Sequence, residues 1–146
     1  MLRGLLANHI LWASLTAWLI AQVLKLFTSY YRTNKVDFQR LVGAGGMPSS
    51  HAALVVSLAM ATGWNRGFDS VDFAIALVMA GVVMYDASGV RQAAGKQAKV
   101  LNKLLQDLQQ HHSIQEIRLK ELLGHTPLEV IAGALLGTLI AWLFCS

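Results

Sequence analysis

Residues 45–51 read Gly-Gly-Met-Pro-Ser-Ser-His and run directly into an apolar stretch, 52–64. The glycines favour a tight turn, and the proline suits the first turn of a helix. A helix that starts here has several unpaired backbone N–H groups and a partial positive charge at its N-terminus. The segment therefore predicts an anion site, most simply for a phosphate, beside two hydroxyl groups and an imidazole.

The composition is that of an integral membrane protein. Of the 146 residues, 55% are hydrophobic and 14% are charged, which is far from the average soluble domain. A few helices of about 20 residues each would use most of the chain, so we expect a single domain, 1–146. The net charge of +4 is modest, and we interpret the basic residues as topology signals, with no nucleic-acid partner.

Four apolar segments predict an all-α membrane helical bundle with four transmembrane helices. They cover about 5–27, 52–66, 71–90 and 127–145. Four crossings would place both chain ends on the same side of the membrane. The brief polar link around Gly67 predicts that the second and third spans form an antiparallel hairpin.

The basic residues indicate the orientation of this bundle. Ten of the twelve Lys and Arg residues lie in or beside the two long polar connections, 28–50 and 91–126, and the other two are Arg3 and Arg66. The positive-inside rule then predicts that both connections are cytoplasmic and both termini are outside. We expect a bacterial inner membrane, or an equivalent membrane, with the anion site facing the cytoplasm.

Residues 92–112 predict a cytoplasmic amphipathic helix. Apolar side chains recur at helical spacing at positions 100, 101, 104, 105 and 108, and lysines share another stripe at 96, 99 and 103. One interpretation is a helix on the membrane surface, held by apolar insertion and anionic headgroups. The other is a helix packed on its neighbour, 114–123, in a small hairpin. The sequence favours neither.

Two cations stand at the end of the first apolar run. Lys25 and Arg32 are seven residues apart, about two helical turns, so they fall on one helix face. Membrane helices often end in basic residues that reach the interface, so this pair gains significance only from its neighbours. The turn at 45–51 supplies such neighbours. Ser49 or Ser50 can cap a helix or donate to an anion, and a plain helix start does not explain His51.

A third polar group is split between two places. Asp86 and Arg91 close the third span, and His125 opens the fourth. Residues 126–129 read Thr-Pro-Leu-Glu, a capping box with proline at the first helical position, which by itself explains Glu129. Alternatively, Glu129 accepts the N–H of His125 and fixes its tautomer, as a histidine nucleophile requires. Asp86 would be costly at a membrane edge unless it is paired, and Arg91 is an available partner.

Together these motifs resemble the type 2 phosphatidic acid phosphatase superfamily, which also includes bacterial acid phosphatases and vanadium haloperoxidases. The longer runs at 45–51, 84–95 and 122–127, and nearly the whole chain, look like the divergent membrane branch of that superfamily. The resemblance implies a metal-independent hydrolase, without a cofactor, that acts on a lipid-linked phosphate or diphosphate through a phosphohistidine. Its implied partners are the lipid phosphate and membrane lipids.

The resemblance also implies a role for each site residue. His125 attacks phosphorus, His51 protonates the leaving alkoxide, and Glu129 orients the nucleophile. The phosphate-binding groups are Lys25, Arg32, Ser50 and Arg91. From the residues themselves, rather than from the resemblance, we expect Asp86 and Ser49 to support the site. Several fixed cations suit phosphoryl transfer, because its transition state carries negative charge on the nonbridging oxygens.

The chain departs from the family pattern in ways that bear on these roles. Thr33 and Ser50 stand where the pattern has proline and glycine, and Glu129 replaces the usual aspartate. The insertion between Arg91 and His125 must fold back if the two residues share a site. A non-catalytic membrane protein that keeps the pocket to bind an anionic lipid is therefore the rival interpretation.

Four spans are fewer than the six helices typical of the superfamily core. A homodimer could complete the bundle through the small residues Gly133 and Gly137, which are four apart. Packing of the same two glycines inside one subunit is an alternative of at least equal weight.

Overall fold

The computed structural model describes residues 2–33, 46–109 and 124–146. These residues form α1 (Leu2–Leu6), α2 (His9–Thr33), α3 (Ser50–Arg66), α4 (Val71–Tyr85), α5 (Arg91–Gln109) and α6 (Pro127–Cys145). A π-helical segment, Asp86–Val90, joins α4 to α5. The predicted all-α class is confirmed for this part of the chain.

Three of the described helices are long and apolar enough to cross a membrane, namely His9–Tyr31, Val71–Gln106 and Pro127–Cys145. α3 has 17 residues and is about 26 Å long at 1.5 Å per residue, slightly less than a hydrocarbon core of about 30 Å. Length and composition therefore support three of the four predicted spans. They do not decide whether the remaining one, the second in chain order, crosses the membrane, because α3 is too short.

The first predicted span, 5–27, is divided at Asn8. The side-chain oxygen of Asn8 accepts the N–H of Leu11 at 3.0 Å, so this residue begins a new helix. Apolar residues lie on both sides of the polar pair Asn8 and His9, and for that reason the apolar pattern did not reveal the break. α2 then extends beyond residue 27 to Thr33 and carries both Lys25 and Arg32 on one helix.

α3 is the central helix of the bundle. It packs against α2, α4 and α6, and α2 also packs against α6. The contacts involve small side chains, in one cluster of Ala17, Ala21 and Ala53 and another of Ala13, Ala61 and Ala141. The second cluster joins the first turns of α2 to the last turns of α3 and α6. These three helix ends therefore lie at one end of the bundle, away from residue 50.

Close packing of α3 on α6 depends on Gly133 and Gly137. A Cβ atom at Gly133 would overlap the carbonyl oxygen of Ser49, and one at Gly137 would overlap that of Ala53. Small residues four apart allow helix backbones to approach in this way. The glycines thus pack inside the subunit, and a homodimer would need a different surface.

The α3–α4 hairpin turns at Gly67, whose φ is +97°, a conformation that favours glycine. The hydroxyl of Ser70 accepts the N–H of Phe73 at 3.1 Å and caps α4. On the surface, Arg66 pairs with Asp72 at 3.3 Å. α3 and α4 are the antiparallel neighbours that the short link predicts.

α5 differs from the prediction because it continues α4 without a break. The π-helical segment keeps the chain helical where the third span was expected to end, so the amphipathic helix is joined to a membrane helix. One side of α5 is buried, at Gly95, Ala98 and Asn102. Its large apolar side chains at Val100, Leu101 and Leu104 are exposed. The hairpin partner expected at 114–123 lies outside the described residues.

Candidate active site

Two histidines from distant parts of the sequence meet at one end of the bundle. His51 lies in the first turn of α3, and His125 lies just before α6. Their ring centroids are 6.1 Å apart, and the ring planes are inclined at 61°. His125 is 1% exposed, whereas His51 is half-buried. The pair therefore has one deeply buried imidazole and one more accessible imidazole.

Lys25 brings an ammonium group from α2 to the same place. Its Nζ donates a hydrogen bond to Ser50 Oγ at 2.9 Å, and the residue is 2% exposed. The Glu129 carboxylate is close enough to interact with it electrostatically. A buried ammonium group needs negative charge nearby, which Glu129 supplies in part and a bound anion would supplement.

The turn before α3 is fixed by Ser49. Its Oγ accepts the N–H of Ala52 at 3.3 Å, so Ser49 is the N-cap of α3. Its backbone N–H donates to the carbonyl of Glu129 at 2.9 Å. Gly46, at the start of the turn, has a φ of +92°. Ser49 thus has a structural role, and Ser50 is the serine that contacts Lys25.

Thr28 connects the same turn to α2, a role that was not predicted from the sequence. Its hydroxyl lies 2.7 Å from the carbonyl oxygen of Met47 and 3.1 Å from that of Lys25. The shorter distance indicates donation to Met47. A threonine in a helix usually bonds a carbonyl one turn back in its own helix, so this contact with a distant turn of the chain has no sequence signature. Its position one turn after Lys25 is the only available signal.

Glu129 combines the two roles that the sequence left as alternatives. Its Oε2 accepts the N–H of Thr126 at 3.1 Å, and Thr126 Oγ1 accepts the N–H of Glu129 at 3.3 Å, which completes the capping box. The same Oε2 lies 3.1 Å from Nδ1 of His125. A carboxylate only accepts, so it favours the tautomer with hydrogen on Nδ1 and a lone pair on Nε2.

The two ends of the insertion between Arg91 and His125 lie close together. The N–H of His125 donates to the carbonyl of Ala87 in the π-helical segment at 2.8 Å. Ala87 also forms a buried cluster with Ala52 and Val130. The two halves of the split motif are therefore adjacent. π-Helical segments often occur at functional sites, but nothing in the sequence marks this one.

Three predicted site residues are positioned only in part by the structure. The side chains of Arg32 and Arg91 lie outside the described part of the structure; Arg32 is in the last turn of α2, and Arg91 begins α5. Asp86 begins the π-helical segment and is half-buried. Within residues 2–33, 46–109 and 124–146, no three His, Cys, Asp or Glu side chains are grouped as metal ligands.

These features define a class, a helical membrane protein that holds two histidines, a lysine and a carboxylate at one end of its bundle. Over residues 6–140 the chain matches the Divergent PAP2 family, and it belongs to that family. The uncharacterized membrane protein YuiD of Bacillus subtilis (strain 168) is 40% identical over 147 residues, with 93% of each chain covered. No solved structure matches the chain significantly. The resemblance inferred from the motifs is thereby confirmed.

Proposed function

We propose that the chain is a single-domain membrane phosphatase that hydrolyses a lipid-linked phosphate or diphosphate through a phosphohistidine. The observation that supports this most is the histidine pair, with 6.1 Å between ring centroids. Attack requires a nucleophile about 3–3.5 Å from phosphorus and a general acid about 2.6–3.2 Å from the leaving oxygen. Two imidazoles at this separation suit a single phosphoryl group.

In the first step, His125 is the nucleophile. Its Nδ1–H donates to Glu129, and the lone pair of Nε2 attacks phosphorus. A P–N bond forms while the bond between phosphorus and the leaving oxygen breaks, and protonated His51 gives its proton to that oxygen. The negative charge of Glu129 stabilises the positive charge that develops on the His125 ring. The dephosphorylated lipid then leaves.

In the second step, water attacks the phosphohistidine. Neutral His51 accepts a proton from this water as the new P–O bond forms and the P–N bond breaks. Inorganic phosphate leaves, and both imidazoles regain their initial protonation states. His51 thus acts first as an acid and then as a base, a pair of roles that suits an imidazole because its pKa ordinarily lies near neutrality.

The nonbridging oxygens of the phosphoryl group need fixed positive charge. Lys25 and Ser50 are joined by a hydrogen bond at 2.9 Å, and we assign both to these oxygens together with Arg32 and Arg91. Backbone N–H groups in the first turn of α3 add a positive potential. Such pre-positioned groups supply most of the stabilisation in phosphoryl transfer.

We place the site at the cytoplasmic interface of a bundle in which α2, α3, α4 and α6 all cross the membrane. Exposed aromatic residues support two interfaces, because Tyr30, Tyr31 and Tyr85 lie near the site and Trp12, Trp64 and Trp142 lie near the opposite end. Tyrosine and tryptophan are enriched at membrane interfaces. The basic residues of the two long connections favour the cytoplasm for the tyrosine side.

Phosphate release by the purified, reconstituted protein tests the proposal. The substrates are phosphatidic acid, a polyprenyl diphosphate and a water-soluble glycerophosphate. We expect release of inorganic phosphate from a lipid substrate and inhibition by vanadate. If the protein binds vanadate but releases phosphate from none of these substrates, it is a non-catalytic anion-binding protein and the proposal fails.

Glu129→Gln should separate the two functions of this side chain. The amide oxygen can still accept the N–H of Thr126, so the helix cap should persist. Loss of the carboxylate charge should lower the rate of phosphate release by about 10²-fold. Glu129→Ala should also lose the cap, at a cost of about 1 kcal/mol in the free energy of unfolding. Full activity of Glu129→Gln would show that the carboxylate serves only to cap the helix.

Thr28→Val should loosen the turn that presents Ser50 and His51. The change keeps the shape of the side chain and removes the hydroxyl that donates to Met47, at a cost of about 1 kcal/mol. We expect a several-fold rise in KM with a smaller change in kcat, and recovery in Thr28→Ser. Thr138→Val is the matched control, because that hydroxyl donates to Ala134 within its own helix at 3.0 Å. Equal effects of both valine variants would contradict the assignment.

A further inference from the structure

We infer that one face of α5 binds an anionic membrane surface. This face, called here the α5 surface, combines an apolar stripe with a row of lysines, and comprises Val100, Leu101, Leu104, Lys96, Lys99 and Lys103. The three apolar residues are 60%, 48% and 52% exposed, in that order. None of the residues of the α5 surface takes part in the proposed reaction.

The α5 surface is not the side of the helix that packs on protein. Gly95, Ala98 and Asn102 are buried, and their spacing of three and four residues places them on one stripe. Val100 and Leu104 are themselves four apart and lie on a different stripe, which remains exposed. Adjacent exposed apolar side chains of this size indicate a contact with an apolar partner.

The length of the continuous helix shows how α5 must lie if it contacts the membrane. The chain is helical from Val71 to Gln109, about 58 Å at 1.5 Å per residue. If α4 and the π-helical segment cross the hydrocarbon core of about 30 Å, α5 begins among the headgroups, which add about 5–8 Å on each side. A straight α5 would then carry Leu104 about 20 Å beyond the core and into water. The proposed contact therefore requires α5 to turn along the membrane surface at the π-helical segment, a feature at which helices commonly kink.

The positive charge of the lysines favours an anionic membrane over a second copy of the chain as the partner. Two copies that packed through the α5 surface would bring rows of like charge together, which disfavours association. Anionic headgroups would neutralise the same lysines while the apolar stripe enters the acyl region. Each basic residue near such a surface strengthens binding by about fivefold at moderate ionic strength. Three lysines together should therefore contribute about a hundredfold.

Spin labels in the reconstituted protein test this inference. Cys145 is first replaced by serine, and single cysteines then replace Leu101 or Leu104. Labels at Val78, exposed on α4, and at Asp69, in the α3–α4 turn, provide lipid and water references. Accessibility to oxygen and to an aqueous nickel chelate is compared in phosphatidylcholine vesicles with and without phosphatidylglycerol. With phosphatidylglycerol, the labels at 101 and 104 should resemble the label at Val78.

The triple variant Lys96→Gln, Lys99→Gln, Lys103→Gln should shift these labels toward the Asp69 pattern, while the Val78 label stays unchanged as a control for folding. High nickel accessibility at 101 and 104 in every vesicle would overturn the inference, because α5 would then project into water. Dipolar broadening between labels on different copies would overturn it in favour of a protein contact. None of these readouts depends on phosphate release.

Discussion

His125→Ala should abolish phosphate release and leave the bundle folded. The variant has no atom that can form the P–N bond, so we expect a loss of at least about 10³-fold. The hydrogen bond to Ala87 comes from the backbone N–H of residue 125 and therefore persists in the variant. Circular dichroism and the unfolding temperature should show a native fold, and no acid-labile phosphate should remain on the protein after reaction.

His51→Ala should fail in a different way, because the nucleophile remains. In a single turnover, release of the alcohol from an alkyl phosphate should fall by about 10²–10⁴-fold. Single-turnover release of a phenolate leaving group should fall much less, since that oxygen needs little protonation. Because His51 also deprotonates water, a phosphohistidine should accumulate at residue 125, where mass spectrometry can locate it. Phosphate found on residue 51, or equal losses in the single-turnover release of the two leaving groups, would show that the roles are assigned wrongly.

The parts of the fold that were predictable have local causes. α6 begins at Pro127 and ends at Cys145 as predicted, because the cap at Thr126 and the proline mark its start within a few residues. The hairpin at Gly67 follows from a short polar link between apolar runs. Likewise, His51 stands out in the sequence because a plain helix start does not explain it, whereas Lys25 gains significance only from the residues around it.

The contacts that bring the site together were not predictable in the same way. Backbone carbonyls of Ala87 and Met47 accept the bonds from His125 and Thr28, and every residue has a carbonyl. A sequence therefore cannot show which ones are used. The continuity of α4 with α5 was missed for a related reason, because a π-helical turn has no composition of its own. The role of Glu129 required coordinates too, since one oxygen serves both the helix cap and the histidine.

Gly133→Ala should lower the free energy of unfolding substantially, although it adds only one methyl group. The added Cβ would overlap the Ser49 carbonyl oxygen, and because this neighbour is backbone, α3 and α6 must move apart. Overpacking of this kind costs about 1–3 kcal/mol in the free energy of unfolding. Gly81→Ala is the matched control, because no atom lies within 4 Å of its added Cβ, and it should gain about 0.5–1 kcal/mol from the helix. Denaturant unfolding in a mild detergent measures both changes.

Comparison with Gly137→Ala separates the stability of the bundle from the geometry of the site. Gly137 meets Ala53, one turn deeper in α3 than Ser49, so both alanine variants should lose similar stability. Only at Gly133 does the displaced backbone also donate to the carbonyl of Glu129, at 2.9 Å. Moving it draws the start of α3, and His51 with it, away from His125. At a temperature where both variants remain folded, phosphate release should therefore fall much further in Gly133→Ala. Equal activity in the two would mean that the separation of the two imidazoles does not depend on this contact.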